Sequence, residues 1–563
     1  MKYKNIYCAA TLLIGSAFAL SACDTQMAKN DLPEMSADRF EAHVRYLASD
    51  EMGGRDTGST GYQMAADYVA KNFADMGLKP GGENGTYFQT VNFRSTSLDA
   101  ANSSASLTLA GNMKDLVIGS DIVMNGSAEA AEIMGSGDLV FVGYGIDAPE
   151  YGINDFAGVD VTGKIIVRLY GTPDSLPSDV AAVVNGNKRA PGAAGVIELY
   201  NSKLQARRGD WDRFKRRFGN PRLGWVGANG TGRPSPDGPM PSANISPELS
   251  AQILESIGLS MDTVEDMAVA DDFMAQDING SASITLKSTY SGNLSSPNVI
   301  GILEGSDPAL KNQYVVISAH LDHVGDQCPR RSNDTATEGD TICNGVMDNA
   351  SGTATMLEAA RAFTSREAPR RSILFVSVTA EEKGLLGADY FAHFPTVDVN
   401  ALVANVNLDM PVLLYDFADV VAFGSEHSSI GPIAARATAR AGINLAEDPM
   451  PEQNLFVRSD HYRFVQKGIP SVFLMTGPTE VGEDITKPAN ERNGYNSFTG
   501  FLNTNYHSPA DDLMQPIVWS AGAKFALVNY LIINEIANAD TEPRWNDGDY
   551  FGNLYAPGKP RAK

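Results

Sequence analysis

From residue 298 onward, short apolar runs alternate with amphipathic ones, and that alternation limits the fold more than any other feature of the 563 residues. Val299-Ile300-Gly301-Ile302-Leu303, Tyr314-Val315-Val316-Ile317-Ser318, residues 372–378 and residues 401–406 read as strands. Most are apolar on both faces, as in a sheet covered by helices. Residues 351–363, 384–391, 430–441 and 521–537 carry a helical period. Strands taking turns with helices predict an α/β fold, here a three-layer sandwich with a mixed, mostly parallel central sheet.

The rest of the chain divides around that body. Residues 36–110 read as its N-terminal part. They hold a helix with Phe40, Val44 and Leu47 on one face, a glycine-rich turn from Met52 to Ser59, and a second helix over 62–76 closed by Gly77. No phosphate-binding fingerprint fits the glycines of that turn. Residues 111–290 change texture, with short β-like runs such as Leu139-Val140-Phe141-Val142 and Ile165-Ile166-Val167 set between Gly, Pro and Asp. They are expected to form a small inserted α/β domain. Within it, residues 207–242 read as an extended polar loop; Trp211, Phe214, Phe218 and Trp225 leave open a flap that touches substrate. Residues 291–540 make the main domain, and 541–563 a polar tail expected to wrap the surface.

Composition narrows the setting. A formal net charge of −24 and the lack of any long Lys/Arg run exclude electrostatic attraction to nucleic acid. Residues 1–22 read as an export signal, with Lys2 and Lys4 before a short apolar stretch. Leu20-Ser21-Ala22-Cys23 resembles the lipobox of bacterial lipoproteins, which implies cleavage before Cys23 and acylation of that residue. Residues 23–35 would then be a tether, and the protein would face the periplasm or cell surface. Of the 4 cysteines, Cys8 lies in the signal and Cys23 is the expected anchor, which leaves Cys328 and Cys343 in the mature domain. In an oxidising compartment they are expected to pair. Nothing in the sequence speaks to oligomeric state.

The strand ends carry chemistry. One run ends in His320-Leu321-Asp322-His323, a second in Glu381-Glu382 and a third in Asp409-Met410. Ligands in open α/β sheets collect beyond the carboxyl ends of strands, so three strands are expected to deliver His, Glu and Asp to one crevice. Asp348 in a loop entering a helix and His507 in a late loop complete a nitrogen and oxygen donor set suited to zinc. Two zinc ions need a bridging carboxylate, for which Asp348 is the candidate. His320 and Asp409 then serve one ion, Glu382 and His507 the other. Asp322 is expected to hold the His320 imidazole, and Glu381 to act as general base on the attacking water.

The stretches 318–323, 344–352, 379–384, 407–410, 459–461 and 506–512 resemble the zinc aminopeptidase family that includes the Aeromonas and Streptomyces enzymes. That family shares a superfamily with the transferrin receptor and glutamate carboxypeptidase. The stretches 143–145, 160–167 and 195–197 resemble a protease-associated insert. The resemblance implies a peptide substrate, two zinc ions, the ligands named above and removal of N-terminal residues. Carboxypeptidase or dipeptidase activity, or a receptor-like protein without catalysis, are the alternatives. Family members often supply an oxyanion-stabilising Tyr where this chain has Phe456, leaving Tyr462, Tyr506, His461 or the metals for that task. Arg458 either meets a substrate carboxylate or pairs with Asp460. His323, Asp460, His461 and Met410 are expected beside the ligands.

Overall fold

In the computed structural model, which describes residues 32–270, 272–330 and 335–562, the centre of the fold is a group of strands buried on both faces. The leader, Cys23 and most of the tether lie outside the described residues. Ser372–Val378, Leu402–Leu408 and Ser471–Thr476 are buried at every position, and Tyr314–His320 at all but its first. These four are mutually parallel, with Tyr314–His320 between Ser372–Val378 and Leu402–Leu408. Antiparallel strands flank them: Gln276–Leu303 on one side and Asp419–Phe423 on the other. The sheet is therefore mixed with a parallel core, as the apolar runs predict.

Alternation along the strands sorts side chains to two faces. Val316, Leu374, Val376 and Val378 meet Ala388 and Phe391 of helix Leu386–His393 and Phe464 of helix His461–Val465. Phe375 points the other way, onto Phe73 of helix Thr60–Asp75 with ring centroids 6.0 Å apart. Full burial of each such aromatic contributes roughly 1.5–3 kcal/mol. Helices Ser351–Thr364 and Trp519–Asn538 pack on each other and on the central strands. The outcome is the three-layer α/β sandwich.

Several boundaries differ from expectation. Gln276–Leu303 is one strand of 28 residues. Its C-terminal half belongs to the body sheet and its N-terminal half pairs with Ser104–Leu109 and Glu132–Phe141 in a second, smaller sheet. A division at 290/291 thus falls inside a strand, and the second sheet begins at Ser104 rather than after 110. Parallel pairing of Glu132–Phe141, Ile165–Leu169 and Gly195–Leu199 builds its centre. The expected loop at 207–242 contains helix Trp211–Lys215 and strand Arg222–Val226. That strand pairs with Phe88–Leu98 of the body. Trp211, Phe214 and Phe218 pack with Tyr200 and Leu204, and Trp225 is buried against Val91, Phe93 and Tyr390. Phe214 and Trp225 are core, with Trp211 and Phe218 packed against it, which removes the flap. The tail is also anchored, since Trp545 and Phe551 are buried and the Trp545 indole donates to the Gly468 carbonyl at 3.1 Å.

No helix among the described residues is long and apolar enough to cross a membrane.

Candidate metal centre

Parallel register brings the acidic and imidazole side chains together. His320 lies opposite Val378, so the loop that follows Val378, with Glu381 and Glu382, opens beside it. Ser318 lies opposite Asn407, two residues before Asp409. The carboxyl ends of three strands thus meet in one crevice. Asp348 enters from the turn before helix Ser351–Thr364, and His507 from the turn after helix Asn493–Thr504.

Asp348 faces both ways. Its Oδ1 lies 3.2 Å from His320 Nε2, and its Oδ2 lies 3.2 Å from His507 Nε2. His320 Nε2 is also 3.1 Å from Asp409 Oδ1, and His507 Nε2 is 3.0 Å from Glu382 Oε2. Two donor groups result, His320–Asp348–Asp409 and His323–Asp348–Glu382–His507, sharing Asp348. His320 and Asp409 fall in one group and Glu382 and His507 in the other, and His323, expected beside the ligands, joins the second. His323 Nδ1 stands 2.7 Å from Glu382 Oε1 and 3.8 Å from Asp348 Oδ2.

The electrostatics ask for cations. Burial opposes ionisation of Asp348, yet the imidazoles of His323, His320 and His507 hold its carboxyl well below the usual range. Burial likewise opposes charge on His507, but Asp348 and Glu382 push it up to about 10. His320 is raised for the same reason, by Asp409 and Glu381 against burial. The carboxylates thus favour positive charge between them, which divalent cations would supply. His507 Nε2 is buried, close to two carboxylates and without hydrogen-bond geometry to either, as a metal-directed nitrogen would be. The donor set fits zinc.

Glu381 and Glu382 separate cleanly. Glu382 turns toward the two histidines, whereas Glu381 lines the adjoining cavity. Burial, with Glu382, Asp409 and Asp460 added and His320 opposing, raises the Glu381 carboxyl well above the usual range. Asp322 acts differently from expectation. The His320 imidazole Nδ1 meets the Asp322 backbone carbonyl at 3.1 Å, while the Asp322 carboxylate accepts the amides of Glu381 at 3.0 Å and Glu382 at 3.3 Å. It orients the glutamate turn rather than the imidazole. Asp409 is held by the Ser459 hydroxyl at 2.6 Å, which in turn accepts from Asn407 at 2.7 Å.

The sequence reading missed two supports. Arg55, at the end of the unassigned glycine turn, is buried and donates to the carbonyls of Leu47, Leu321, Asn344 and Gly345. One guanidinium therefore ties the His320 and Asp348 loops together. Burial lowers it to about 10, with the carboxylates of Asp348, Asp511 and Asp322 opposing, so it stays charged at neutral pH. Asp511 accepts the amides of Met347 at 3.0 Å and Asp348 at 3.1 Å, fixing the loop that carries Asp348. A charged residue next to Gly-Gly was the available signal for Arg55.

A cavity of about 210 Å³ opens beside the cluster, with Asp348, Glu381 and Asp409 at one end and Leu455, Phe473, Met475, Phe498 and Leu502 among its walls. Met410, Arg458 and Tyr506 also line it. Arg458 donates to the Gln453 carbonyl, and Asp460 is buried with neither carboxylate oxygen hydrogen-bonded, so of the two alternatives for Arg458 the pair with Asp460 does not form. Burial pushes the Asp460 carboxyl up to about 8, with His320 opposing and Asp409 adding. His461 is buried between Phe456 and Phe473. Tyr462 turns its hydroxyl to Asn187 and Tyr555, which leaves Tyr506 as the tyrosine at the cavity. Cys328 and Cys343 are bonded, as expected. The Cys343 amide donates to Gly325, next to the His320 loop.

Residues 298–532 match the model of Peptidase family M28. All the candidate ligands, Glu381 and Asp322 lie in this M28 stretch. The aminopeptidase YwaD of Bacillus subtilis is 28% identical over 204 residues, 35% of this chain and 40% of that protein. The "probable leucine aminopeptidase 2" of Aspergillus oryzae is 26% identical over 256 residues, 42% of this chain and 45% of that protein. The chain thus spans under half the length of these relatives. The solved zinc aminopeptidase BSAP of Bacillus subtilis aligns over 90% of this chain and 96% of its own, at 20% identity and a TM-score of 0.41.

Proposed function

We propose that this protein is a zinc-dependent exopeptidase with two metal ions that removes residues from the N-terminus of peptides. The observation that carries the reading is Asp348, whose two oxygens face two separate donor groups at the end of a cavity with apolar walls. His320 and Asp409 would hold one zinc, Glu382 and His507 the other, with Asp348 between. Bound zinc supplies Lewis acidity, ionising water near neutral pH and polarising a carbonyl.

The chain's own residues do the rest. Glu381, its carboxyl raised above the usual range by burial and facing the cavity, takes a proton from the attacking water and delivers it to the departing amine. Asp322 fixes the turn that carries it. Leu455, Phe473, Met475 and Phe498 accept an apolar N-terminal side chain and exclude water from the reacting end. Tyr506, beside the same end, is the candidate donor to the developing oxyanion. Retention of every ligand and of Glu381 argues against a receptor-like role. Arg458 on the cavity favours the second reading, a carboxypeptidase or dipeptidase. Peptides blocked at one end separate the two: an N-acetylated peptide should resist cleavage and a C-amidated one should be cut, and the reverse would overturn the aminopeptidase assignment.

The inserted sheet is read as a protease-associated domain, and Leu20-Ser21-Ala22-Cys23 as the site of a lipid anchor after export.

A further inference from the structure

On the side of the body carrying helix Leu386–His393, a second cavity of about 420 Å³ lies between the insert and the body, with no lining residue in common with the cavity at the metal centre. The insert contributes Arg189, Arg233 and Asp237, and the body Asp389, Arg463 and Lys467. With Lys188 of the insert, whose ammonium donates to the Leu169 carbonyl, five cations and two carboxylates share one recess in a protein of formal net charge −24.

The carboxylates do not satisfy the cations. Arg189 pairs with Asp237 at 2.5 Å and Arg233 with Asp389 at 3.0 Å. Asp389 also accepts from the Trp225 indole at 2.5 Å, so much of its capacity is taken. Arg463 reaches Asp389 only at 3.7 Å, and its buried Nε has no hydrogen-bond partner. Lys467 has no carboxylate within ion-pair distance among the described residues. Burial lowers the proton affinity of both Arg463 and Lys467, with Asp389 opposing and Arg233 adding its repulsion. Like charges gathered in a partly desolvated recess cost free energy that an anion between them offsets. Guanidinium groups present paired N–H donors matched to phosphate and carboxylate oxygens.

We propose that this recess binds a small phosphate-class oxyanion carrying two or more negative charges, at the seam between insert and body. Arg463 also donates to the Gly384 carbonyl at 3.2 Å, two residues beyond Glu382, so an occupant would brace the turn that carries the two glutamates. The binding site stands independently of the peptidase reading.

The test is calorimetric titration of the full protein with pyrophosphate against sodium chloride at matched ionic strength. Saturable binding to the unaltered protein is expected, weakened at least tenfold by Lys467→Ala and by Arg189→Ala and tightened by Asp237→Asn. Circular dichroism of each variant verifies folding. Heats no larger than those of sodium chloride, or equal affinity in the unaltered protein and the folded Lys467→Ala and Arg189→Ala variants, would overturn the proposal. Glycerol phosphate in solution and phosphatidic-acid vesicles, compared in the same assay, distinguish a free phosphate ester from a lipid headgroup as the source.

Discussion

Glu381 and Glu382 are neighbours in sequence with opposite surroundings, and their division of labour is the sharpest residue-level consequence of the site. Glu382 sits against His323 and His507, whereas Glu381 meets the cavity. Glu381→Gln keeps the size of the side chain and removes its basicity, so zinc content should not change while turnover falls about 10²–10⁴-fold. Metal analysis and steady-state kinetics on the same preparation check this; an active variant would remove Glu381 from the chemistry. The roles of these side chains were legible because strand ends can be read from apolar runs. His323 stands beside a ligand, 2.7 Å from Glu382, where the sequence placed it, whereas the role of Asp322 was misread because it acts through carboxylate-to-amide bonds that spacing does not encode. The carboxylates that raise His507 also predict competition between proton and metal. Because His507 is raised to about 10, zinc must displace a proton from it, and chelator titration should find weaker binding at pH 6 than at pH 8. Equal affinity at the two values would contradict that linkage.

Among the elements, the turn at 50–58 does more than join two helices. Gly54 has a left-handed φ of 69°, and a Cβ there would lie 2.4 Å from the Gly325 carbonyl oxygen and 2.6 Å from that of Cys343. The Gly325 amide also donates to the Gly54 carbonyl at 3.1 Å. The turn thus seats the disulfide loop and delivers Arg55 beneath the metal loops. Gly54→Ala should reduce stability by more than 1 kcal/mol and lower zinc retention during dialysis, measured by denaturant midpoint and metal content. A variant matching the unaltered protein in both would show that the turn is only a linker. The glycines were visible in the sequence, but their purpose was not, because it depends on contacts about 270 and 290 residues away. Helix Ala37–Leu47 carries a separate pH signal. Burial lowers His43 to about 4, with Glu358 opposing. Its neutral form therefore contributes stability that is complete above pH 6.5 and lost as pH falls toward 4, by up to roughly 3 kcal/mol. Urea midpoints at pH 7.5 and 5 should diverge less for His43→Gln, and no change in that divergence would remove His43 as the source.

Across the whole molecule, the 28-residue strand Gln276–Leu303 explains why domain limits were the least legible feature. A strand that serves two sheets leaves no polar break where one sheet gives way to the next. Strand Arg222–Val226 adds a second crossing by returning from the insert to the body. Apolar periodicity identified the sandwich and its site, because each central strand is short and buried on both faces. It passed over Asp419–Phe423 and Ser471–Thr476, short runs whose length and composition do not separate strand from buried helix. Attachment belongs to this scale too. Cys23→Ser should shift the protein from the membrane fraction to the soluble fraction, read by fractionation and blotting, and unchanged partitioning would contradict the lipid anchor.

The measurement that bears most directly on a centre bridged by Asp348 is zinc per chain, by plasma mass spectrometry after exhaustive dialysis. About two ions are predicted for the unaltered protein, with Asp348→Ala losing both while Asp409→Ala loses chiefly one. A single ion in the unaltered protein, or an Asp348→Ala chain that still holds two, would contradict it.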